Sequence, residues 1–220
     1  TNSSASGNYS TASGYLASAS GNSAIALGTS SNASNTNAVA IGFNTSTSGN
    51  SATAIGVGAN AGGTNSTAIG TNATATAPNS TAIGPLANAS NLGASASGYG
   101  ASASGYYSTA IGTYANASGS NSIASGTLAK ASGTNASASG YNAYANGSNS
   151  IASGTNAIAL GPNSIAIGTN SNASNVGSTA LGNSATASGY FGAALGNSAT
   201  ASGYSATALG TSSTASGNFS

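Results

Sequence analysis

Small and variable residues alternate along this chain in blocks of seven. Glycine occupies 27 of the 31 positions that are multiples of seven, from Gly7 to Gly217, and alanine stands two residues before 30 of them. The residue four before each of these repeat positions is always Ala, Ser, Thr or Gly. Alternation with a period of two is typical of a short β-strand with one buried face. No insertion interrupts this phase anywhere in the chain.

The residues that follow each repeat position predict a tight turn. They include Pro162-Asn163 after Gly161 and Thr155-Asn156 after Gly154. Glycine and asparagine tolerate the positive φ that tight turns require, whereas glycine inside a helix costs about 1 kcal/mol relative to alanine. The turn glycines include Gly28, Gly42, Gly56, Gly70, Gly84, Gly112 and Gly168.

Seven residues therefore predict one strand and one turn, and fourteen predict a flattened coil. We expect an all-β fold, a parallel β-roll or β-solenoid with 14-residue coils. Residues 1–220 should form a single continuous repeat domain of about 15 coils. So narrow a coil leaves an interior that we expect to hold only Ala, Ser and Gly.

A second period of 14 distinguishes the two strands of each coil. The residue before the repeat position is mostly Ile or Leu in one strand and mostly Ser in the other. Because the small face points inward, this apolar column should lie on the outside, and such a long stripe favours association with other copies. The predicted contact residues are Ile25, Leu27, Val39, Ile41, Ile55, Ile69, Ile83, Ile111, Ile123, Ile151, Ile165, Ile167, Leu181, Leu195 and Leu209.

Composition excludes most chemistry. The chain has no Asp, Glu, His or Cys and only one basic residue, Lys130. General acid–base catalysis and metal binding rely on the missing residue types, so we expect neither an enzyme nor a cofactor. One lysine makes no nucleic-acid-binding patch, and no apolar run reaches the roughly 20 residues of a spanning helix. A disordered, Gly/Ser/Asn-rich linker is the compositional alternative, but a linker has no reason to keep a strict seven-residue phase.

Four segments carry a resemblance to a known family. Residues 22–28 read Asn-Ser-Ala-Ile-Ala-Leu-Gly, residues 65–70 and 79–84 both read Asn-Ser-Thr-Ala-Ile-Gly, and residues 163–168 read Asn-Ser-Ile-Ala-Ile-Gly. The intervening Ala-Thr-Ala-Ser-Gly segments at 185–189 and 199–203 complete a 14-residue unit. Motif and spacing together resemble the YadA-like head repeats of trimeric autotransporter adhesins over essentially the whole chain.

The resemblance implies a left-handed roll, three copies of which pack as a homotrimer through their apolar columns. It also implies the head of a fibre on the bacterial cell surface, held in the outer membrane by a part outside this sequence. The ligand would be an extracellular matrix protein, a glycan or another surface. A structural spacer rod of a bacterial or phage fibre is the main alternative. An ice-binding solenoid is a further one, because rows of Thr, Ala and Ser recur at residues 186–188, 200–202 and 214–216.

Exposed tyrosines are the candidate ligand contacts. Six tyrosines directly follow a Ser-Gly pair, and the region from residue 99 to residue 144 is rich in them. Tyrosine offers a large rigid surface with a polar tip, although it can equally shield a turn or pack between protomers. The candidates are Tyr99, Tyr106, Tyr107, Tyr114, Tyr141 and Tyr144. Lys130 is interpreted as a solvated charge on the polar face.

Overall fold

The computed structural model describes residues 2–220. The chain divides into two compact units, Thr1–Ser108 and Thr109–Ser220. The described residues contain β-strands and turns and no helix. The predicted fold class, a parallel β-solenoid of about 15 coils spaced about 14 residues apart, is confirmed.

Each unit contains two parallel sheets, because strands of two and three residues alternate along the chain and each pairs with the strand one coil away. We call the sheet of two-residue strands the polar sheet and the sheet of three-residue strands the apolar sheet. In the first unit the polar sheet contains β1 (Ser4–Ala5), β3 (Ser18–Ala19), β5 (Asn32–Ala33), β7 (Ser46–Thr47), β9 (Asn60–Ala61), β11 (Thr74–Ala75), β13 (Asn88–Ala89) and β15 (Ser102–Ala103). Its apolar sheet contains β2 (Thr11–Ser13), β4 (Ile25–Leu27), β6 (Val39–Ile41), β8 (Thr53–Ile55), β10 (Thr67–Ile69), β12 (Thr81–Ile83) and β14 (Ser95–Ser97).

The second unit repeats this arrangement. Its polar sheet contains β17 (Asn116–Ala117), β19 (Lys130–Ala131), β21 (Tyr144–Ala145), β23 (Ile158–Ala159), β25 (Asn172–Ala173), β27 (Thr186–Ala187), β29 (Thr200–Ala201) and β31 (Thr214–Ala215). Its apolar sheet contains β16 (Thr109–Ile111), β18 (Ile123–Ser125), β20 (Ser137–Ser139), β22 (Ile151–Ser153), β24 (Ile165–Ile167), β26 (Thr179–Leu181), β28 (Ala193–Leu195) and β30 (Thr207–Leu209).

The interior is built from the small residues of the seven-residue pattern. Ala68 is fully buried and lies in register with Ala54 and Ala82 of the adjacent coils. The expectation that only Ala, Ser and Gly fit inside was too narrow, because Thr45 and Thr47 are buried as well. Both hydroxyls donate hydrogen bonds to backbone carbonyls, Thr45 to Gly56 and Thr47 to Asn32, each at 3.3 Å. The interior can therefore accommodate threonine, because the hydroxyl is hydrogen-bonded and the side chain is small.

Every coil turns through the same backbone conformation. The amide three residues after a repeat position donates to the carbonyl of that position, as Ala73 does to Gly70 at 3.2 Å. The second turn residue has a left-handed φ, for example 54° at Asn72 and 56° at Asn79. Asparagine, serine and glycine dominate this position because short polar side chains and glycine visit that region at low cost.

The two edges of the coil differ at the repeat position itself. At the first edge, which follows the apolar sheet, the glycine has φ near +130°, a region that is almost exclusive to glycine. The predicted turn glycines Gly28, Gly42, Gly56, Gly70, Gly84, Gly112 and Gly168 all lie there, with φ of 129°, 136°, 129°, 131°, 121°, 123° and 127°. At the second edge, which follows the polar sheet, φ is not left-handed. All four departures from glycine, Asn35, Ala77, Asn91 and Asn175, lie at that second edge.

This difference predicts unequal tolerance of a side chain at the two edges. An added Cβ would press on the next coil's backbone at either edge, but native Asn and Ala residues show that the second edge yields. We expect Gly70→Asn to lower the free energy of unfolding by roughly 2 kcal/mol more than Gly63→Asn, because only Gly70 also carries a φ that asparagine adopts with strain. Chemical denaturation of both variants measures the difference, and equal losses would contradict the assignment.

Candidate functional site

The apolar sheets carry every predicted contact residue on their outer face. In the first unit Leu27, Ile41 and Ile55 lie in register on successive coils, and Ile69 and Ile83 continue the column. In the second unit Ile167, Leu181 and Leu195 are aligned in the same way, followed by Leu209. A second column one strand position away holds Ile25 and Val39 in the first unit.

None of these side chains is buried within the chain. Ile83 is 44% exposed and Ile111 is 48% exposed, and Leu209 reaches 75%. The remaining members, Ile123, Ile151 and Ile165, lie at the first strand position of β18, β22 and β24 on the same outer face. Each unit therefore presents a regular apolar surface. Its role as a contact between copies stays a prediction.

The candidate tyrosines are distributed over three surfaces. In the first unit, Tyr99 lies on a first-edge turn, while Tyr106 and Tyr107 lie on a second-edge turn. In the second unit, Tyr114 and Tyr141 lie on first-edge turns, and Tyr144 stands on strand β21 of the polar sheet. Turn positions leave side chains about half exposed, as at Tyr106 with 53%. The tyrosines that follow a Ser-Gly pair therefore do not form one continuous ridge, because that position in the repeat occurs at both edges of the coil.

Aromatic side chains of the last coils do meet at a second edge. The rings of Phe191 and Tyr204 pack edge-to-face with centroids 6.0 Å apart, and Tyr204 packs in the same way on Phe219 at 5.4 Å. This geometry is one that aromatic pairs prefer. Turns at the same edge recur every 14 residues, so aromatic residues of consecutive coils pack on one another. This supports the interpretation that some aromatic residues shield turns.

The polar sheet of the second unit contains a site that sequence reasoning did not assemble. Its outer row holds Asn or Thr except on three consecutive coils, where Lys130, Tyr144 and Ile158 pair in register. The Lys130 ammonium lies 5.1 Å from the centre of the Tyr144 ring, a cation–π geometry. Lys130 is exposed, as the predicted solvated surface charge should be, and it also contacts an aromatic ring, which the sequence analysis did not predict. The sequence contained a signal for this site. At intervals of 14 residues, positions 116, 130, 144, 158 and 172 carry Asn, Lys, Tyr, Ile and Asn.

The three residues border a groove of about 280 Å³. Its other lining residues are Leu128, Asn142, Ala143 and Asn156. Ala143 is buried, while Leu128 and Asn142 belong to first-edge turns and are exposed. Within residues 2–220 no cluster of three or more His, Cys, Asp or Glu residues exists to hold a metal. In the same range the structure holds no helix of the length and apolarity needed to cross a bilayer.

Comparison with known proteins adds a family. The YadA head domain repeat, in a two-copy form, matches residues 1–17, 19–45, 48–73, 61–87, 89–115, 117–143, 145–171, 173–199 and 201–220. The crystal structure of the collagen-binding domain of the Yersinia adhesin YadA is similar to the chain at a TM-score of 0.53 and 31% identity. That similarity covers 58% of this chain and 72% of the Yersinia domain. No match to a curated relative was found.

Proposed function

The chain belongs to the family of YadA head domain repeats, and from that premise we propose that it is the head segment of a trimeric adhesin fibre that attaches bacteria to host matrix, cells or surfaces. Family and fold are those of an adhesin and not of an enzyme. The proposal places the chain outside the cell, on the bacterial surface, with residues 1–220 acting as one continuous left-handed roll. It involves no cofactor, no nucleic acid and no insertion of this segment into a membrane.

The observation that carries the proposal is the exposed apolar sheet. An apolar patch that repeats on successive coils is rarely left in water, and three parallel rolls facing one axis would cover it with closed symmetry. The polar sheets and both edges would then face outward, where an adhesin meets its ligand. The Yersinia domain is described as collagen-binding, so a matrix protein is the first ligand class to examine for this chain.

Solution mass and matrix binding test the two parts of the proposal. We expect a mass near three times 20.1 kDa by sedimentation equilibrium. We further expect the trimer to bind at least one of immobilised collagen, whole extracellular matrix and cultured cells in a surface assay. A stable monomer would overturn the assembly, whereas a trimer that binds none of these surfaces would leave the spacer rod as the better interpretation.

The edge tyrosines complete the proposal as outward-facing contacts. Tyr106 and Tyr107 are adjacent on one turn, and both are more than half exposed. Their rings would lie beside any ligand that runs along the second edge. Together with Tyr99, Tyr114 and Tyr141 they provide the aromatic surface that the polar sheets largely lack.

A further inference from the structure

Beside Lys130, the outer row of the described polar-sheet strands departs from its usual Asn, Ser or Thr. Asn116 precedes Lys130 in the row and Asn172 follows Ile158, so the departure occupies three coils and then ends. We infer that the groove beside Lys130 binds a carboxylate-bearing sugar residue, such as the acidic end of a glycan chain. The inference rests on the proposed adhesin function and names a ligand class for it.

Charge supports an anionic ligand. Lys130 carries the only basic side chain of the molecule, and the sequence holds no Asp or Glu to neutralise it. Its ammonium contacts only the ring of Tyr144 among charged or aromatic groups of the described residues. A carboxylate reaching the groove would therefore be the first anionic partner available to this charge, and hydrogen bonds between ionised groups are the stronger ones.

The remaining lining matches a sugar ring. Asn142 donates from Nδ2 to Asn156 Oδ1 at 3.0 Å, and Asn156 donates from Nδ2 to Asn170 Oδ1 at 3.2 Å. Each amide nitrogen carries two hydrogens, so the ladder leaves further donors for the hydroxyl groups of a ligand. Tyr144 and Ile158 also line the groove, and their apolar surfaces suit the C–H face of a sugar.

The size of the groove supports a small, defined ligand. About 280 Å³ lies just under the range of about 300–1,000 Å³ that is usual for small-molecule pockets, which suits a terminal sugar residue better than a folded protein.

An acidic peptide is disfavoured because only one ammonium is present. A run of acidic side chains would leave further carboxylates without partners, whereas a single acidic sugar matches one charge. The polar row elsewhere, with Asn, Ser and Thr, offers no second cation.

Titration of the full chain with 3′-sialyllactose, followed by ligand-observed saturation-transfer NMR, tests the inference. We expect binding that weakens as salt is raised and that is about tenfold weaker in Lys130→Gln, since a hydrogen bond to a charged group contributes on that order. Lys130→Arg should retain most of the binding. Tyr144→Thr should weaken binding as well. Tyr15→Thr, which changes an exposed tyrosine of the first unit, should bind as the unaltered chain does.

Four results would overturn the acidic-sugar site. They are no detectable binding of 3′-sialyllactose, equal binding of lactose, equal binding of an acetylated triglutamate peptide, and binding by Lys130→Gln that is as strong as binding by the unaltered chain. Each variant is checked for unchanged mass and thermal unfolding, so a folding defect is recognised. Adhesion to matrix is measured on the same samples: if it persists while 3′-sialyllactose does not bind, the site is wrong and the adhesin function stands, whereas an assembled trimer without any adhesion refutes the function itself.

Discussion

Ile69→Asp is expected to convert the proposed trimer into monomers. Ile69 lies in the middle of the first unit's apolar column, in register with Ile55 and Ile83. In a trimer closed around the apolar sheets, the substitution would bring three carboxylates together in an apolar contact. Removing an ion from water costs several kcal/mol even after relaxation, and mutual repulsion adds to that cost.

Sedimentation equilibrium of Ile69→Asp should give a mass near 20.1 kDa. The matched control is Thr74→Asp on strand β11, the next strand along the chain, whose outer face belongs to the polar sheet. That variant introduces the same charge on a face that the proposed trimer would leave in water, so its mass should stay near three times that of one chain. A trimeric Ile69→Asp protein would show that the apolar columns do not form the contact between copies.

Ala75→Leu should destabilise the coil more than any surface change. Ala75 is fully buried and lies in register with Ala61 and Ala89. The largest fully buried side chains of the described residues are two threonines, followed by serines, so nothing in the interior gives way to a leucine. Overpacking a well-filled core costs typically 1–3 kcal/mol, and the uniformly small neighbours place this site at or above about 3 kcal/mol.

Ala75→Thr is the control for that substitution. Thr47 occupies the equivalent position of strand β7 and donates from Oγ1 to the Asn32 carbonyl. The carbonyl of Asn60 stands in the same relation to residue 75, so a threonine there should find a partner and cost about 1 kcal/mol or less. Thermal or denaturant unfolding of both variants makes the comparison. Similar losses for Leu and Thr would mean that the interior is roomier than its burial indicates.

Local sequence was sufficient for the coil itself. The inward face needs small residues at every second position, and the turn needs a residue that accepts a left-handed φ, as Asn79 does. Each requirement concerns only a few consecutive residues. It therefore recurs in every repeat and can be recognised in the sequence. The strands, the turns, the inward alanines and the outward Ile and Leu residues were therefore predicted correctly.

The seven-residue pattern did not show which side chains of adjacent coils come into contact, and the stacking of the coils determined this. Two residues that are 14 positions apart in sequence come into contact only when coils stack. Stacking therefore brings Lys130 onto the ring of Tyr144, and it forms the groove that Leu128 and Ile158 help to line. Likewise, one sequence slot holds Tyr99 and Tyr106, but alternate turns lie at different edges of the coil, so the shared slot does not gather them. Sequence by itself determined the repeating unit, because its constraints are local. The stacking of the coils determined which side chains share a surface, because two side chains lie close together only when their strands are in register or their turns lie at the same edge.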